Sequence, residues 1–367
     1  MRKICIMMFL LLMALSAVSC GNQSKNQPLK QTTTPKTSVD TVATKSPTPS
    51  TTSPTPAATA EVNKRDMSKY RITDKIHSEA LKNNMVGEET DREVCIYLPP
   101  SYFDCEKKYP VLYYLHGHGE GPRSWFLVSG LEFDKVAEKT KQEFIVVYVD
   151  GAAQNGGAFY VNSPVSGNWE DYIVNEVVSY VDKTYRTLAN KDSRGILGFS
   201  MGGFGALNLG MRHPNVFGAA YGMSPGLIAK GEIKSLINSS DINFKTSYGR
   251  AFSPNTKDPE ELAYYPTFDG SKEDNKIVQA WENGFGNFDA KIKDYLSKKD
   301  KLRGIKIIYG TNDNYSWIPR GCEALIKEFK KNKIECEHSN FDGAHQIKPN
   351  AVKEDVVPFF SKNLVVE

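Results

Sequence analysis

The sequence predicts an α/β chain: a mostly parallel central sheet with helices on both faces and an insertion near the active site. Three observations carry that reading. From about Tyr70 onward, short apolar runs alternate with helical periodicities. A serine set between glycines stands where a strand hands over to a helix. Between Gly226 and about Lys291 the alternation breaks into Asn, Ser, Asp, Lys and scattered aromatics, which reads as an insertion over one end of the sheet.

The elements follow in chain order. Arg2 and Lys3 precede an apolar run from Ile4 to about Leu15, shorter than the roughly 20 residues a membrane span needs. Leu15-Ser16-Ala17-Val18-Ser19-Cys20-Gly21 resembles a bacterial lipoprotein lipobox, with Ala17 where leucine is more usual. Residues 1–20 are therefore expected to be an export signal and Cys20 the lipidated first mature residue. Ordinary signal-peptide cleavage with an incidental cysteine is the alternative. Thr, Ser and Pro fill about half of residues 21–66, without one aromatic, so this segment reads as a flexible linker. Residues 67–367 form the expected folded domain, and with no later long apolar run they read as soluble.

Charge excludes one class of partner. The first 66 residues carry eight basic and three acidic side chains, which more than accounts for the net +3 of the whole chain. The near-neutral remainder lacks the field that gathers phosphates, so no nucleic acid partner is expected.

Strands are expected at residues 94–98, 111–115, 144–149, 195–199, 217–222, 305–309 and 334–338, and helices at 131–141, 172–185, 201–212, 322–330 and 352–360. In the second helix Ile173, Val174, Val177, Val178 and Val181 recur on one stripe. Cys95 and Cys105 are close enough in sequence to pair in an exported protein, and free thiols are the equal alternative for these and for Cys322 and Cys336.

Leu197-Gly198-Phe199-Ser200-Met201-Gly202-Gly203 follows an apolar strand and opens a helix, the context a nucleophile elbow requires. The sharp turn lifts the Ser200 hydroxyl above the sheet, and glycines flank it because side chains there would collide. A dinucleotide loop does not fit, since the third glycine after Gly203 and Gly205 would fall on Asn208. A hydroxyl needs an imidazole to take its proton. Of six histidines, His345 lies in a loop after the last strand and gives the order Ser, acid, His. Asp313, at the end of the preceding strand, is the expected acid, ahead of Asp342, which is too near His345 in sequence. An oxyanion hole needs two aimed N–H groups. Met201 is expected to supply one and His118 the other, with Gly117 or Gly119 as alternatives in the His116-Gly117-His118-Gly119 loop. Two histidines two places apart without a third ligand are weak evidence for a metal, so neither metal nor cofactor is expected and the rings read as structural or wall groups.

The elbow, the Leu115-His116-Gly117 loop, Gly310-Thr311-Asn312-Asp313, Asn168-Trp169-Glu170-Asp171-Tyr172-Ile173 and Val181-Asp182-Lys183-Thr184-Tyr185-Arg186 resemble the esterase D / antigen 85-like family of α/β-hydrolases over roughly residues 70–365. The resemblance implies the α/β-hydrolase fold, a triad of Ser200, Asp313 and His345, and oxyanion donors at Met201 and His118. It also implies a range of ester substrates that includes feruloyl and acetyl groups on polysaccharides. Gln346-Ile347-Lys348 departs from the tryptophan-containing stretch often found after the histidine.

Phe159, Tyr160, Trp317 and the Tyr264/Tyr265 pair are expected as possible walls of the substrate cleft. The expected activity is that of an exported serine esterase at a bacterial surface or envelope, lipid-anchored or else secreted. Its partner would be a small-molecule or polysaccharide-linked ester, with membrane contact only through Cys20. A short-chain carboxylesterase, an acyltransferase and a non-catalytic binding lipoprotein are the alternatives.

Overall fold

The computed structural model describes residues 67–366. The expected signal and linker, with Cys20, lie outside the described residues. A 3₁₀ turn (Met67–Tyr70) leads into β1 (Arg71–His77), β2 (Asp91–Tyr97), β3 (Val111–Leu115), α1 (Arg123–Thr140) and β4 (Ile145–Val149). A small hairpin, β5 (Asn162–Ser163) and β6 (Gly167–Asn168), precedes α2 (Trp169–Asp171), which runs through a π-helical turn (Tyr172–Val177) into α3 (Val178–Thr184). Then come β7 (Arg194–Phe199), α4 (Met201–Arg212) and β8 (Ala219–Met223). The helices α5 (Ile233–Ser239), α6 (Ile242–Phe252), α7 (Lys272–Phe285) and α8 (Phe288–Ser297) separate β8 from β9 (Gly304–Gly310). The chain closes with α9 (Trp317–Lys331), β10 (Glu337–Phe341), a second π turn (Val352–Val356) and α10 (Val357–Asn363).

Eight strands form one sheet in the order β1-β2-β4-β3-β7-β8-β9-β10. Only the β1–β2 and β2–β4 pairings are antiparallel. The other five are parallel, so β3, β7, β9 and β10 all end on the same edge. The inner strands β3, β4, β7 and β8 are buried on both faces, and alternation divides their side chains between two cores. Val111, Tyr113 and Leu115 of β3 join the core that holds Trp169, Val177, Val181 and Leu207. Leu112 and Tyr114 join the other, with Trp125, Phe133, Phe359 and Phe360. No helix among the described residues is long and apolar enough to cross a membrane.

Several expectations need correction. The last strand is Glu337–Phe341 rather than 334–338, because it is an exposed edge strand with no apolar face to mark it. The polar edge strand β1 was not expected at all. The helices expected from 131 and 322 begin earlier, at Arg123 and Trp317. The irregular stretch after Gly226 is largely helical. Cys95, Cys105, Cys322 and Cys336 are all free thiols, so the Cys95–Cys105 pairing does not form.

Candidate active site

The elbow sits at the end of β7, next to β3, with Leu115 paired to Gly198. A β-carbon at Gly198 would overlap the carbonyl of Gly202, and one at Gly202 the carbonyl of Leu115. The turn is therefore closed to side chains by backbone. Ser200 is forced to φ 54° and ψ −116°, a conformation that costs on the order of 1–3 kcal/mol. Its N–H donates to Met223 O at 2.9 Å, and its carbonyl accepts from Phe204 N at 3.0 Å and Gly226 N at 2.9 Å. These bonds hold the strained residue between β8 and α4.

The ends of β9 and β10 bring the other two predicted side chains to the serine. Thr311 N donates to Phe341 O at 2.9 Å and Asn312 N to Gly343 O at 3.0 Å, which ties the Asp313 turn to the His345 loop. His345 Nε2 lies 2.8 Å from Ser200 Oγ, and His345 Nδ1 lies 2.7 Å from Asp313 Oδ2. Asp313 Oδ1 accepts from Tyr315 N–H at 2.8 Å, and the side chain is fully shielded from solvent. The second candidate acid, Asp342, instead accepts from Asn312 Nδ2 at 2.7 Å. The His345 ring is also fixed by Phe199 and Tyr315, whose ring centroids lie 4.9 and 5.1 Å away. In this arrangement an imidazole with its proton on Nδ1 can accept the serine proton at Nε2.

Three amides were candidates in the loop after β3. Gly117 N–H donates to Glu120 Oε2 at 2.9 Å, and Gly119 N–H to Gly156 O at 2.7 Å. The His118 N–H has no acceptor among the described residues. Met201 N–H, in the first turn of α4, has none within its helix. The loop is braced from below by His116, whose fully buried ring takes Gly151 N–H on Nε2 at 2.9 Å and donates Nδ1–H to Gly117 O at 2.8 Å. His116 is thus a structural group. No cluster that could hold a metal occurs among the described residues.

Ser200 and His345 open into a cavity of about 700 Å³. Trp317 lines it, with Nε1 donating to Ser239 Oγ at 2.9 Å. The other aromatic expectations are corrected. Tyr160 is a core residue whose hydroxyl donates to His116 O at 2.9 Å, and Phe159 is equally buried. Tyr264 is an exposed residue of the insertion, and Tyr265 packs on Trp281; neither lines the cavity. The walls come instead from Phe244, Phe285, Tyr315 and Ile318, with Asn155, Asn243 and the carboxylates Glu120 and Asp241. No Lys or Arg lines it. Asn155 and Tyr315 stand in loops without periodicity, but Tyr315 lies two residues after the predicted acid, a proximity that could have singled it out.

A family model described as "Putative esterase" matches residues 87–278, about half of the chain. The match includes His118 and Ser200 and stops before Asp313 and His345. The chain is 32% identical over 146 residues to an endo-1,4-beta-xylanase/feruloyl esterase of Xylanibacter ruminicola, covering 38% of this chain and 20% of that protein. It is 35% identical over 133 residues to an esterase of Mycobacterium tuberculosis, covering 35% and 27% respectively. The chain thus matches roughly a fifth to a quarter of the length of these curated relatives. A solved ferulic acid esterase shares the α/β-hydrolase fold, with a TM-score of 0.56, 23% identity, and coverage of 80% of this chain and 98% of that one.

Proposed function

The chain belongs to the esterase family, and from that premise we propose that it is a serine carboxylic-ester hydrolase working through an acyl-enzyme on Ser200. The observation that carries this reading is the continuous relay from Ser200 Oγ through both ring nitrogens of His345 to a buried Asp313. Ser200 Oγ attacks the ester carbonyl carbon while His345 Nε2 takes the hydroxyl proton. Asp313 holds the ring and stabilises the imidazolium. The tetrahedral oxyanion is met by the N–H groups of Met201 and His118. As the C–O bond to the alcohol breaks, Nε2 returns the proton to the leaving oxygen. Water then attacks the acyl-enzyme, His345 removes its proton, and collapse releases the acid and the Ser200 hydroxyl.

The proposed substrates are neutral esters with an aromatic or short acyl group, in first place feruloyl or acetyl groups on polysaccharide. Phe244, Phe285, Tyr315 and Trp317 offer apolar walls to such a group. Two wall carboxylates without a countercharge disfavour a substrate that carries its own anion. The feruloyl esterase name of a relative supports the same choice. The deciding experiment offers the purified chain methyl ferulate, p-nitrophenyl acetate, feruloylated arabinoxylan oligosaccharide and acetylated xylan. Preferential release of ferulate or acetate from the carbohydrates supports the reading. Comparable rates on all simple esters with none on the carbohydrates would make the chain a short-chain carboxylesterase.

The reading extends to the envelope. Residues 1–20 would direct export, lipid on Cys20 would anchor the chain, and residues 21–66 would tether the esterase domain. A flexible linker of this length has a root-mean-square span of roughly 35–40 Å, suited to polymers that cannot approach a bilayer. Cys20→Ala should release the protein from the membrane fraction without changing its rate on a soluble ester. Membrane retention of that variant would remove the anchor.

A further inference from the structure

His118 brings a ring as well as an amide to the cavity. The ring sits beside Phe244, with centroids 5.0 Å apart, and its Nε2 lies 3.0 Å from Ser247 Oγ on α6. Ser247 Oγ also lies 3.0 Å from Asn243 O and 3.1 Å from Phe244 O. Its single hydrogen can go to a helix carbonyl or to the imidazole, so the tautomer of the ring sets the direction of the Ser247–His118 bond. The ring also hydrogen-bonds the backbone of Asn155. Burial lowers the pKa of His118, which favours the neutral ring.

The chain is built around this ring. Gly156, at φ +102°, would place a β-carbon 2.5 Å from His118 Cε1, and Gly157 would place one 3.1 Å from Cδ2. The Gly156 segment is itself pinned: Asn155 Nδ2 donates to Asn243 Oδ1 at 3.1 Å, and Arg250 Nη1 donates to Asn155 Oδ1 at 2.9 Å. The ring thus lies in a slot between the 154–157 segment and α6, while the N–H of the same residue has no acceptor among the described residues.

We propose that the His118 imidazole is a positioning residue for its own amide. Through its Nε2 hydrogen bond with Ser247 it fixes the peptide plane that presents the oxyanion donor, so that α6 of the insertion sets the aim of the oxyanion hole. This rests on the serine-esterase reading, but it makes a separate demand. Ser247 touches neither Ser200 nor His345, yet its hydroxyl should matter to the transition state and not to substrate binding.

The test uses Ser247→Ala, His118→Leu and His118→Gln in the full chain, with two readouts: kcat and KM on a neutral aryl ester, and the rate at which a fluorophosphonate phosphonylates Ser200. Complete removal of one oxyanion donor costs about 10²–10³ in turnover, so loss of aim should cost less. Ser247→Ala should lower kcat and phosphonylation together by about tenfold, with KM within twofold. His118→Leu should lower both further, and His118→Gln, whose side-chain amide reaches the same serine, should recover much of the loss. A folded Ser247→Ala chain with unchanged phosphonylation, or with KM alone affected, would overturn the proposal. Because phosphonylation needs no ester substrate, it still reads His118 if every ester tested proves inert, an outcome that would count against the esterase reading alone.

Discussion

Asp313 holds His345 with one carboxylate oxygen and the backbone with the other: Oδ2 lies 2.7 Å from the ring Nδ1, while Oδ1 accepts from Tyr315 N–H at 2.8 Å. An amide at this position can satisfy only one of those demands. Asp313→Asn should keep the fold but misorient the ring or put its proton on the wrong nitrogen, lowering kcat by about 10⁴ if the serine-protease precedent transfers. Near-normal turnover in a stopped assay of the folded variant would place the acid elsewhere.

Glu120 and Asp241 give the cavity a negative wall. A neutral ester should therefore be hydrolysed with a several-fold higher kcat/KM than an analogue with an added carboxylate. The gap should narrow with Asp241→Asn and with rising salt, since exposed charges are screened within about 10 Å at 0.1 M. Parallel assays at low and high ionic strength check this. A gap indifferent to both would point to shape instead.

Lys291 closes the end of α7. Its Nζ donates to the carbonyls of Asn283 at 2.5 Å, Gly284 at 3.0 Å and Gly286 at 2.6 Å. Lys291→Met should leave those carbonyls short of partners and destabilise the chain by about 1–3 kcal/mol in urea unfolding. Burial, aided by the Arg212 charge, pushes the ammonium down to about 8. Between that value and the usual lysine range the unfolded chain binds more protons than the folded one, so this group's contribution to stability rises with pH across that window. Unfolding curves at pH 7.5 and 9.5 should differ by an increment that Lys291→Met removes.

The sequence made the strands and turns that carry chemistry legible, because those segments have strong signals. β3 and α4 match the expected bounds: an unbroken apolar run ends at His116-Gly117, and the glycine-flanked serine opens a helix. β10 was displaced by three residues because an exposed edge strand has no buried face to pattern it, and Ile334, which suggested its start, packs from the preceding loop. The choice of His118 over Gly117 and Gly119 rests on which amides are already bonded, a fact of tertiary structure. Aromatic identity was the weakest guide. Trp317 lines the cavity, while Tyr160 fills the core beneath the same loop, and nothing in residue type separates the two.

Ser200 is the residue proposed to be acylated during turnover. Intact-mass and peptide mapping after reaction with a fluorophosphonate test it most directly. A single adduct is expected, carried by the peptide containing Ser200 and absent from Ser200→Ala, with ester hydrolysis in that variant reduced by several powers of ten. An adduct on a different serine, or a folded Ser200→Ala chain that still hydrolyses esters at a comparable rate, would contradict it.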